Sequence, residues 1–346
     1  MIQFILKKTM LRYSLTFGLF LFFGCQDTKP SAQGGDNEVV LIASKYDQVF
    51  LMKAVSMMIN DTLFTPQPEE HFKIIPIEPD RFNDVSDYVN VVVGAIGDYP
   101  SNKGTSLIKS ILTNEQYLSS MNGNNHLIFS KDVFARDQNF LVINGPNSDK
   151  VYQASYEQGP WLKKQFDDLF IKRQSLHLFD ESTLQAELQT SLLSKYNWSI
   201  KIPWGYSVIR DSSDQKFFWI GRELPFRWLA IKWEDGLVFS DSASARKFSK
   251  SIPLKYFRNI QYIDYKFKIK PSTFNSYGSW KITGLWESLN DAQGGPFISH
   301  LFYDADQDRS YFIHSMIFHP GKDKYLLLRQ VDMIARTFKT TTAVDK

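Results

Sequence analysis

The sequence has a single cysteine, Cys25, and few glycines and prolines, 18 and 14 in 346 residues. A lone cysteine excludes an internal disulfide framework and a thiolate-rich zinc cluster. The low glycine and proline content excludes collagen-like and low-complexity chains. No Gly-x-Ser-x-Gly, Gly-x-Gly-x-x-Gly or phosphate-loop pattern occurs. The usual signatures of α/β-hydrolases, dinucleotide-binding proteins and phosphate-loop enzymes are therefore missing.

An excess of positive charge is also lacking once the first residues are set aside. The net charge of +3 comes from 40 basic and 37 acidic residues. Residues 1–24 hold Lys7, Lys8 and Arg12 and no acidic residue, so the remainder has 40 − 3 = 37 basic against 37 acidic residues. A nucleic-acid interface needs a net positive face. We therefore expect no nucleic-acid partner.

The three N-terminal cations precede a short apolar run, residues 13–23, which is followed by Gly24 and Cys25. A spanning helix needs ~20 apolar residues, so this shorter run is typical of a cleaved secretory signal. The pattern resembles a bacterial lipoprotein signal, although Phe22 stands where Leu is usual. We expect cleavage of the signal peptide 1–24 and acylation of Cys25, with palmitate among the chains, because two acyl chains anchor stably. The alternative is an uncleaved anchor or a simple signal with an incidental cysteine.

The pattern of apolar and polar residues after Cys25 predicts an α+β fold made of two α/β halves. Residues 25–37 are polar and small, which indicates a flexible tether. The first half, 38–197, opens with consecutive apolar residues, typical of a central strand buried on both faces. The second half, 198–338, alternates aromatic and mixed positions, which predicts an antiparallel sheet with helices packed on one face, a C-terminal helix among them. Residues 339–346 are expected to form a disordered tail.

Several segments of the second half together resemble a bacterial lipoprotein family catalogued as domain of unknown function 4837. The segments are 201–206 (KIPWGY), 218–223 (FWIGRE), 284–287 (GLWE), 294–297 (GGPF), and 319–324 (HPGKDK) with 327–330 (LLRQ). The resemblance implies a lipid-anchored protein of the Gram-negative cell envelope, with the outer membrane as the expected location. It implies no activity, cofactor or catalytic residue.

Two acidic residues after an aromatic strand, Glu287 and Asp291, are the candidate catalytic pair. Paired carboxylates serve as general acid and base on glycans, and Trp280 and Trp286 lie near in sequence. Turn carboxylates beside core tryptophans are the favoured interpretation.

Three histidines, His300, His314 and His319, raise the question of a metal site. Zinc needs three or four ligands in defined geometry, and no carboxylate is placed as a third ligand. Structural histidines are therefore favoured, and we expect neither a metal nor a cofactor. The acidic run that starts at Asp304 lacks the glycine and glutamate of a calcium loop and predicts a polar hairpin turn.

Tryptophans cluster in the second half, where packing within a sheet is their default role. Trp204 differs because it stands in a Pro-Trp-Gly-Tyr turn, and turns lie at the surface. With Tyr206 beside it, Trp204 is the candidate recognition edge.

These observations favour a non-enzymatic binding, assembly or scaffolding module anchored in the cell envelope, with an envelope protein or glycan as its partner. The alternative is a hydrolase that acts on an envelope glycan or peptidoglycan through Glu287 and Asp291.

The lipidation site yields a direct test. Cys25→Ser is expected to abolish acylation, because the thiol is the acyl acceptor, and to shift the protein from the detergent phase to a soluble or unprocessed form. Metabolic labelling with a fatty acid measures this. Persistent labelling of the Cys25→Ser protein would exclude Cys25 as the acceptor.

Overall fold

The structure is a computed structural model that describes residues 29–64, 67–123, 125–257 and 259–341. The predicted signal peptide, residues 1–24, and Cys25 lie outside the described residues. Within the described residues, no helix is long and apolar enough to cross a membrane.

The described residues of the first half form seven strands and six helices. The strands are β1 Glu38–Ile42, β2 Thr62–Phe64, β3 Pro68–Glu70, β4 Lys73–Ile77, β5 Asn90–Ile96, β6 Leu127–Lys131 and β7 Asn139–Gly145. The helices are α1 Lys45–Ile59, α2 Phe82–Val85, α3 Lys103–Ile111, α4 Asn114–Asn122, α5 Ser148–Leu178 and α6 Ala186–Tyr196. Short 3₁₀ turns cover Pro79–Arg81 and Glu181–Thr183.

The sheet of the first half has the order β4-β1-β5-β7-β6, and only β6 runs antiparallel to its neighbour. Its central strands are apolar on both faces because helices cover both sides. Leu41 packs with α1 and α5 on one face, and Ile42 packs with α3 and α4 on the other. This is the α/β half that the sequence predicts.

The second half holds the remaining strands and helices. The strands are β8 Trp198–Ser199, β9 Ser207–Ser212, β10 Phe217–Arg222, β11 Phe226–Asp235, β12 Ile260–Tyr262, β13 Lys268–Phe274, β14 Tyr277–Ser288, β15 Gly294–Asp304, β16 Arg309–Phe318 and β17 Lys339–Thr340. The helices are α7 Ser242–Ile252 and α8 Tyr325–Ala335, with a π-helical turn at Pro253–Phe257 and a 3₁₀ turn at Asp264–Lys266.

Eight strands of the second half form one antiparallel sheet in the order β12-β14-β15-β16-β11-β10-β9, with β13 also paired to β14. Successive residues of a strand point to opposite faces. Phe218 therefore packs in the core under α8, and its neighbour Phe217 packs in the core under α7. The α+β class is confirmed. The sequence predicts helices on one face, and the structure adds α7 on the other.

Helix α8 connects the cores of the two halves. Leu328, Val331 and Ile334 are buried against the large sheet. Met333 and Leu326 pack into the core of the first half, together with side chains of α5. The helix thus buries opposite sides of its surface in different cores.

The segment before β1 is docked on the first half. Ser31 and Gln33 form isolated backbone bridges to Arg136 and Tyr88. Asp36 accepts a hydrogen bond from Arg173 Nε at 2.6 Å. The prediction of a flexible tether is therefore wrong for residues 31–37, because backbone and ionic groups hold a segment that offers little apolar surface.

The chain after α8 is also ordered at its start. Lys339 pairs with Ser199 and Thr340 with Trp198, so β17 forms a two-stranded ladder with β8. The prediction of a disordered tail is wrong for the two residues of this strand, because their backbone pairs with β8 at the start of the second half.

Ile334→Asp tests the burial of α8. The side chain is 1% exposed, and an unpaired charge there is expected to lower the free energy of unfolding by more than about 3 kcal/mol. Thermal unfolding of the full chain in detergent measures this. Ile171→Asp on the exposed side of α5 is the control, with an expected loss below about 1 kcal/mol. Equal melting temperatures for the two variants would contradict the docking of α8.

Candidate binding cleft and neighbouring arginine pair

A cleft of about 680 Å³ lies where the two halves meet. It is lined by residues 67–69 from the first half, by the end of β14 and the start of β15, and by the loop 320–324 that leads into α8. Three of the segments that carry the family resemblance, 284–287, 294–297 and 319–324, contribute lining residues.

The cleft has an apolar floor made by Ile263, Leu285, Trp286 and Phe318. Trp286 is buried, and its indole N–H donates to the carbonyl of Ile317 at 3.2 Å. The floor therefore presents ring and aliphatic surface.

Gly295 determines how closely β15 approaches β16 at the cleft. A Cβ atom at this position would stand 2.0 Å from the carbonyl oxygen of Ile317. Only glycine permits that approach, and the neighbouring wall of the cleft depends on it.

Glu69 crosses from the first half and caps helix α8. Its Oε2 accepts hydrogen bonds from the backbone N–H groups of Lys324 at 2.5 Å and Tyr325 at 2.9 Å, and its Oε1 lies 3.2 Å from Lys324 Nζ. The first N–H groups of a helix lack partners within the helix, so a carboxylate there satisfies donors and meets the positive end of the helix dipole. Both side chains are largely buried.

Asp323, on the cleft wall, makes a second contact between the halves. Lys73 donates to its Oδ2 at 2.5 Å. This hydrogen bond holds the pKa of Asp323 below its usual range, so the carboxylate stays ionised at neutral pH.

The two candidate catalytic carboxylates are not brought together. Glu287 lines the cleft and accepts a hydrogen bond at 2.8 Å from the amide of Gln261, its cross-strand neighbour. Asp291 is exposed in the hairpin that follows β14, where its backbone N–H donates to Ser288 Oγ at 3.2 Å, and it is not among the lining residues.

The histidines of β15 and β16 lie on opposite faces of the sheet. His300 is buried on the α8 side, with Nε2 2.6 Å from Asp332 Oδ1. His314 is buried on the α7 side, with Nδ1 2.7 Å from Ser299 Oγ, and burial lowers the pKa of His314 to about 3. Within the ranges that the structure describes, no group of three metal-ligating side chains forms. The run from Asp304 is the predicted hairpin turn, between β15 and β16.

The turn that carries Trp204 is held by several hydrogen bonds and exposes its tryptophan. The backbone N–H of Trp204 donates to Thr183 at 2.7 Å, and the Gln185 amide donates to the carbonyls of Pro203 and Tyr206. Trp204 is 73% exposed, as the turn predicts, whereas Tyr206 is 5% exposed and points inward. The recognition edge at the surface therefore contains the tryptophan without the tyrosine.

Sequence reasoning missed two arginines beside this turn. Arg222 and Arg227 are directly opposed in the register of β10 and β11. The backbone of Gly205 lies against Arg222, since a Cβ atom there would stand 3.2 Å from Arg222 Nε. Counting residues outward from the Leu224-Pro225 turn along the two strands could have predicted that Arg222 and Arg227 form a cross-strand pair.

Comparison with known proteins gives a partial family match. The family model described as "Domain of unknown function (DUF4837)" matches residues 248–337, which is less than half of the chain. No curated protein matches the sequence. The family model therefore supports the resemblance to this domain of unknown function over that part of the second half.

Solved structures are similar to parts of the chain only. The Ran-binding protein Mog1p of Saccharomyces cerevisiae is 13% identical, with a TM-score of 0.32, over 43% of this chain and 92% of that chain. LpqN, "involved in cell envelope biogenesis of Mycobacterium tuberculosis", is 13% identical, with a TM-score of 0.28, over 42% of this chain and 83% of that chain. Likenesses of this size carry no inference about function.

Glu69→Ala tests the contact between the halves at the cleft. The change removes the acceptor of two helix N–H groups and leaves the ammonium of Lys324 without this carboxylate, so we expect a loss of about 2–3 kcal/mol in the free energy of unfolding. Glu70→Ala is the matched control, because the Glu70 carboxylate accepts hydrogen bonds from Ser56 and Asn60, which both belong to the first half. Chemical denaturation measures both. An equal loss for the two variants would contradict the role of Glu69 as the cap.

Proposed function

We propose that the protein is a non-enzymatic binding module of the bacterial cell envelope, anchored to a membrane by acylation of Cys25, with the cleft as its ligand-binding surface. The charged N-terminus, the short apolar run and Gly24-Cys25 support the anchor. The resemblance to the lipoprotein family supports the outer membrane of a Gram-negative bacterium as the location.

The observation that carries this proposal is the state of the carboxylates around the cleft. Three carboxylates line it, and each already has a partner: Glu69 with Lys324, Asp323 with Lys73, and Glu287 with Gln261. Glycan hydrolysis needs two carboxyl groups that face the scissile bond, one of them able to donate a proton. The three carboxylates of the cleft are instead held by these partners, and its apolar floor and charged rim suit binding.

The docked N-terminal segment adds a geometric argument. The carbonyl of Pro30 already accepts a hydrogen bond from the backbone N–H of Arg136 at 2.8 Å, so residues 26–29 separate an acylated Cys25 from the folded body. The five residue steps from Cys25 to Pro30 span at most about 18 Å when fully extended. The body would therefore work close to the bilayer, where it meets membrane-proximal components of the envelope.

The test compares binding with hydrolysis in one preparation. The full-length acylated protein is purified in detergent and incubated with solubilised envelope from its own cells, and mass spectrometry identifies what it retains. Ile263→Gln, on the cleft floor, is expected to reduce retention of the ligand about tenfold through lost apolar contact. Ile269→Gln, at a position that is also half-buried but lies outside the cleft, is the control and should retain the same set.

The competing hydrolase is measured in the same samples. We expect no new reducing ends in glycan or peptidoglycan, with either the native protein or Glu287→Gln. Reducing ends that appear with the native protein and disappear with Glu287→Gln would establish the hydrolase and overturn the proposal. Undiminished retention by Ile263→Gln would exclude the cleft as the binding surface.

A further inference from the structure

Two arginines lie opposite each other at the turn end of the hairpin β10–β11. Arg222 and Arg227 form a directly opposed cross-strand pair, and like charges in that position destabilise a sheet. Arg227 makes one long hydrogen bond, 3.4 Å from Nη1 to Gln330 Oε1, and its buried Nε has no hydrogen-bond partner. An anion bound between the two guanidinium groups would relieve the repulsion.

No carboxylate balances these charges in the part of the chain that the structure describes. Neither arginine forms an ion pair within 4.0 Å there. Burial lowers the pKa of Arg227, and the charge of Arg222 adds to that shift while Tyr206 opposes it. Burial raises the pKa of Tyr206 to about 12, so its hydroxyl remains a donor at neutral pH. The cluster is rich in donors and lacks an acidic partner.

Two exposed apolar side chains flank the arginines. Trp204 is 73% exposed on the turn whose Gly205 touches Arg222, and Leu224 is 88% exposed at the tip of the same hairpin. Surfaces that lie in a membrane interface have this composition: a large aromatic and a large aliphatic side chain beside cations without a carboxylate partner.

The cluster is joined to the segment that leads to the anchor. Arg227 donates to Gln330, Gln330 donates to Gln174 at 2.8 Å, and Gln174 donates to Asp36 at 2.7 Å. Asp36 belongs to the docked segment that begins five residues after Cys25, at Pro30. A membrane that holds an acylated Cys25 lies near this docked segment. The arginine cluster is linked to the same segment through the three hydrogen bonds.

We propose that Trp204, Leu224, Arg222 and Arg227 form a membrane-docking surface. The guanidinium groups bind the phosphate of a lipid headgroup, and the two apolar side chains enter the interfacial region of the bilayer. The inference rests on the proposed anchor at Cys25, and it adds a second, non-covalent contact that orients the body on the membrane. Glu223, exposed in the same turn, opposes headgroup binding by its charge.

The experiment measures contact between Trp204 and lipid. The acylated full-length protein is reconstituted into phosphatidylcholine vesicles, with or without phosphatidylglycerol, that contain brominated acyl chains. The fluorescence difference between the native protein and Trp204→Phe reports on Trp204 alone. We expect at least half of this signal to be quenched, with stronger quenching when phosphatidylglycerol is present and no reversal by millimolar inorganic phosphate.

Matched variants separate this surface from general charge and apolarity. Arg222→Gln, Arg227→Gln and Leu224→Gln should each reduce the quenching at least twofold, and Glu223→Gln should increase it. Arg210→Gln and Leu237→Gln should leave it unchanged. Arg210 already hydrogen-bonds Ser212 and Tyr256, and Leu237 is exposed beyond the far end of β11.

A stability measurement distinguishes docking from a structural role. In detergent without lipid, Arg227→Gln is expected to raise the melting temperature by about 2 °C, because the like-charge repulsion disappears. A lower melting temperature would assign Arg227 a structural role and count against the proposal.

Flotation of the vesicles separates the two proposals. Protein that floats while Trp204 stays unquenched would overturn the docking surface and leave the anchored binding module standing. Reversal of the quenching by inorganic phosphate would replace the lipid headgroup with a free anion. Protein that does not float would overturn the anchor and the docking surface together.

Discussion

The capping of α8 by Glu69 is the contact on which the rest of the arrangement depends. One carboxylate from the first half satisfies two N–H groups and a lysine at the start of a helix that belongs to the second half. The helix then buries Val331 and Ile334 in one core and Met333 in the other. Its position fixes the loop 320–324, and that loop forms one wall of the cleft.

The cleft and the arginine pair lie at the same end of the large sheet. Phe226, beside Arg227 in β11, pairs with Phe318, which lines the cleft at the end of β16. If this end of the sheet meets the bilayer as proposed, the cleft would open beside the membrane. Its ligand would then be a component at or near the bilayer surface, which agrees with the short span between Cys25 and the folded body.

The candidate site shows where sequence reasoning succeeds and where it stops. Trp204 could be predicted as exposed because a Pro-Trp-Gly-Tyr turn is a local feature. Glu287 and Asp291 are only four residues apart, yet the hairpin after β14 directs one to the cleft and the other to solvent. His300 and His314 lie on neighbouring strands, but the pleat and register place them on opposite faces. Proximity in sequence therefore did not predict a shared site.

The sequence by itself determined the α+β class, the antiparallel second half and the C-terminal helix, because these follow from hydrophobic periodicity within short segments. The tertiary structure alone decided the cleft, the docking of residues 31–37 and the pairing of β17 with β8. The Glu69 cap joins residues 255 positions apart, and the Asp36–Arg173 pair joins residues 137 apart. No local pattern encodes such contacts, since their partners are chosen only when the packed cores bring distant surfaces together.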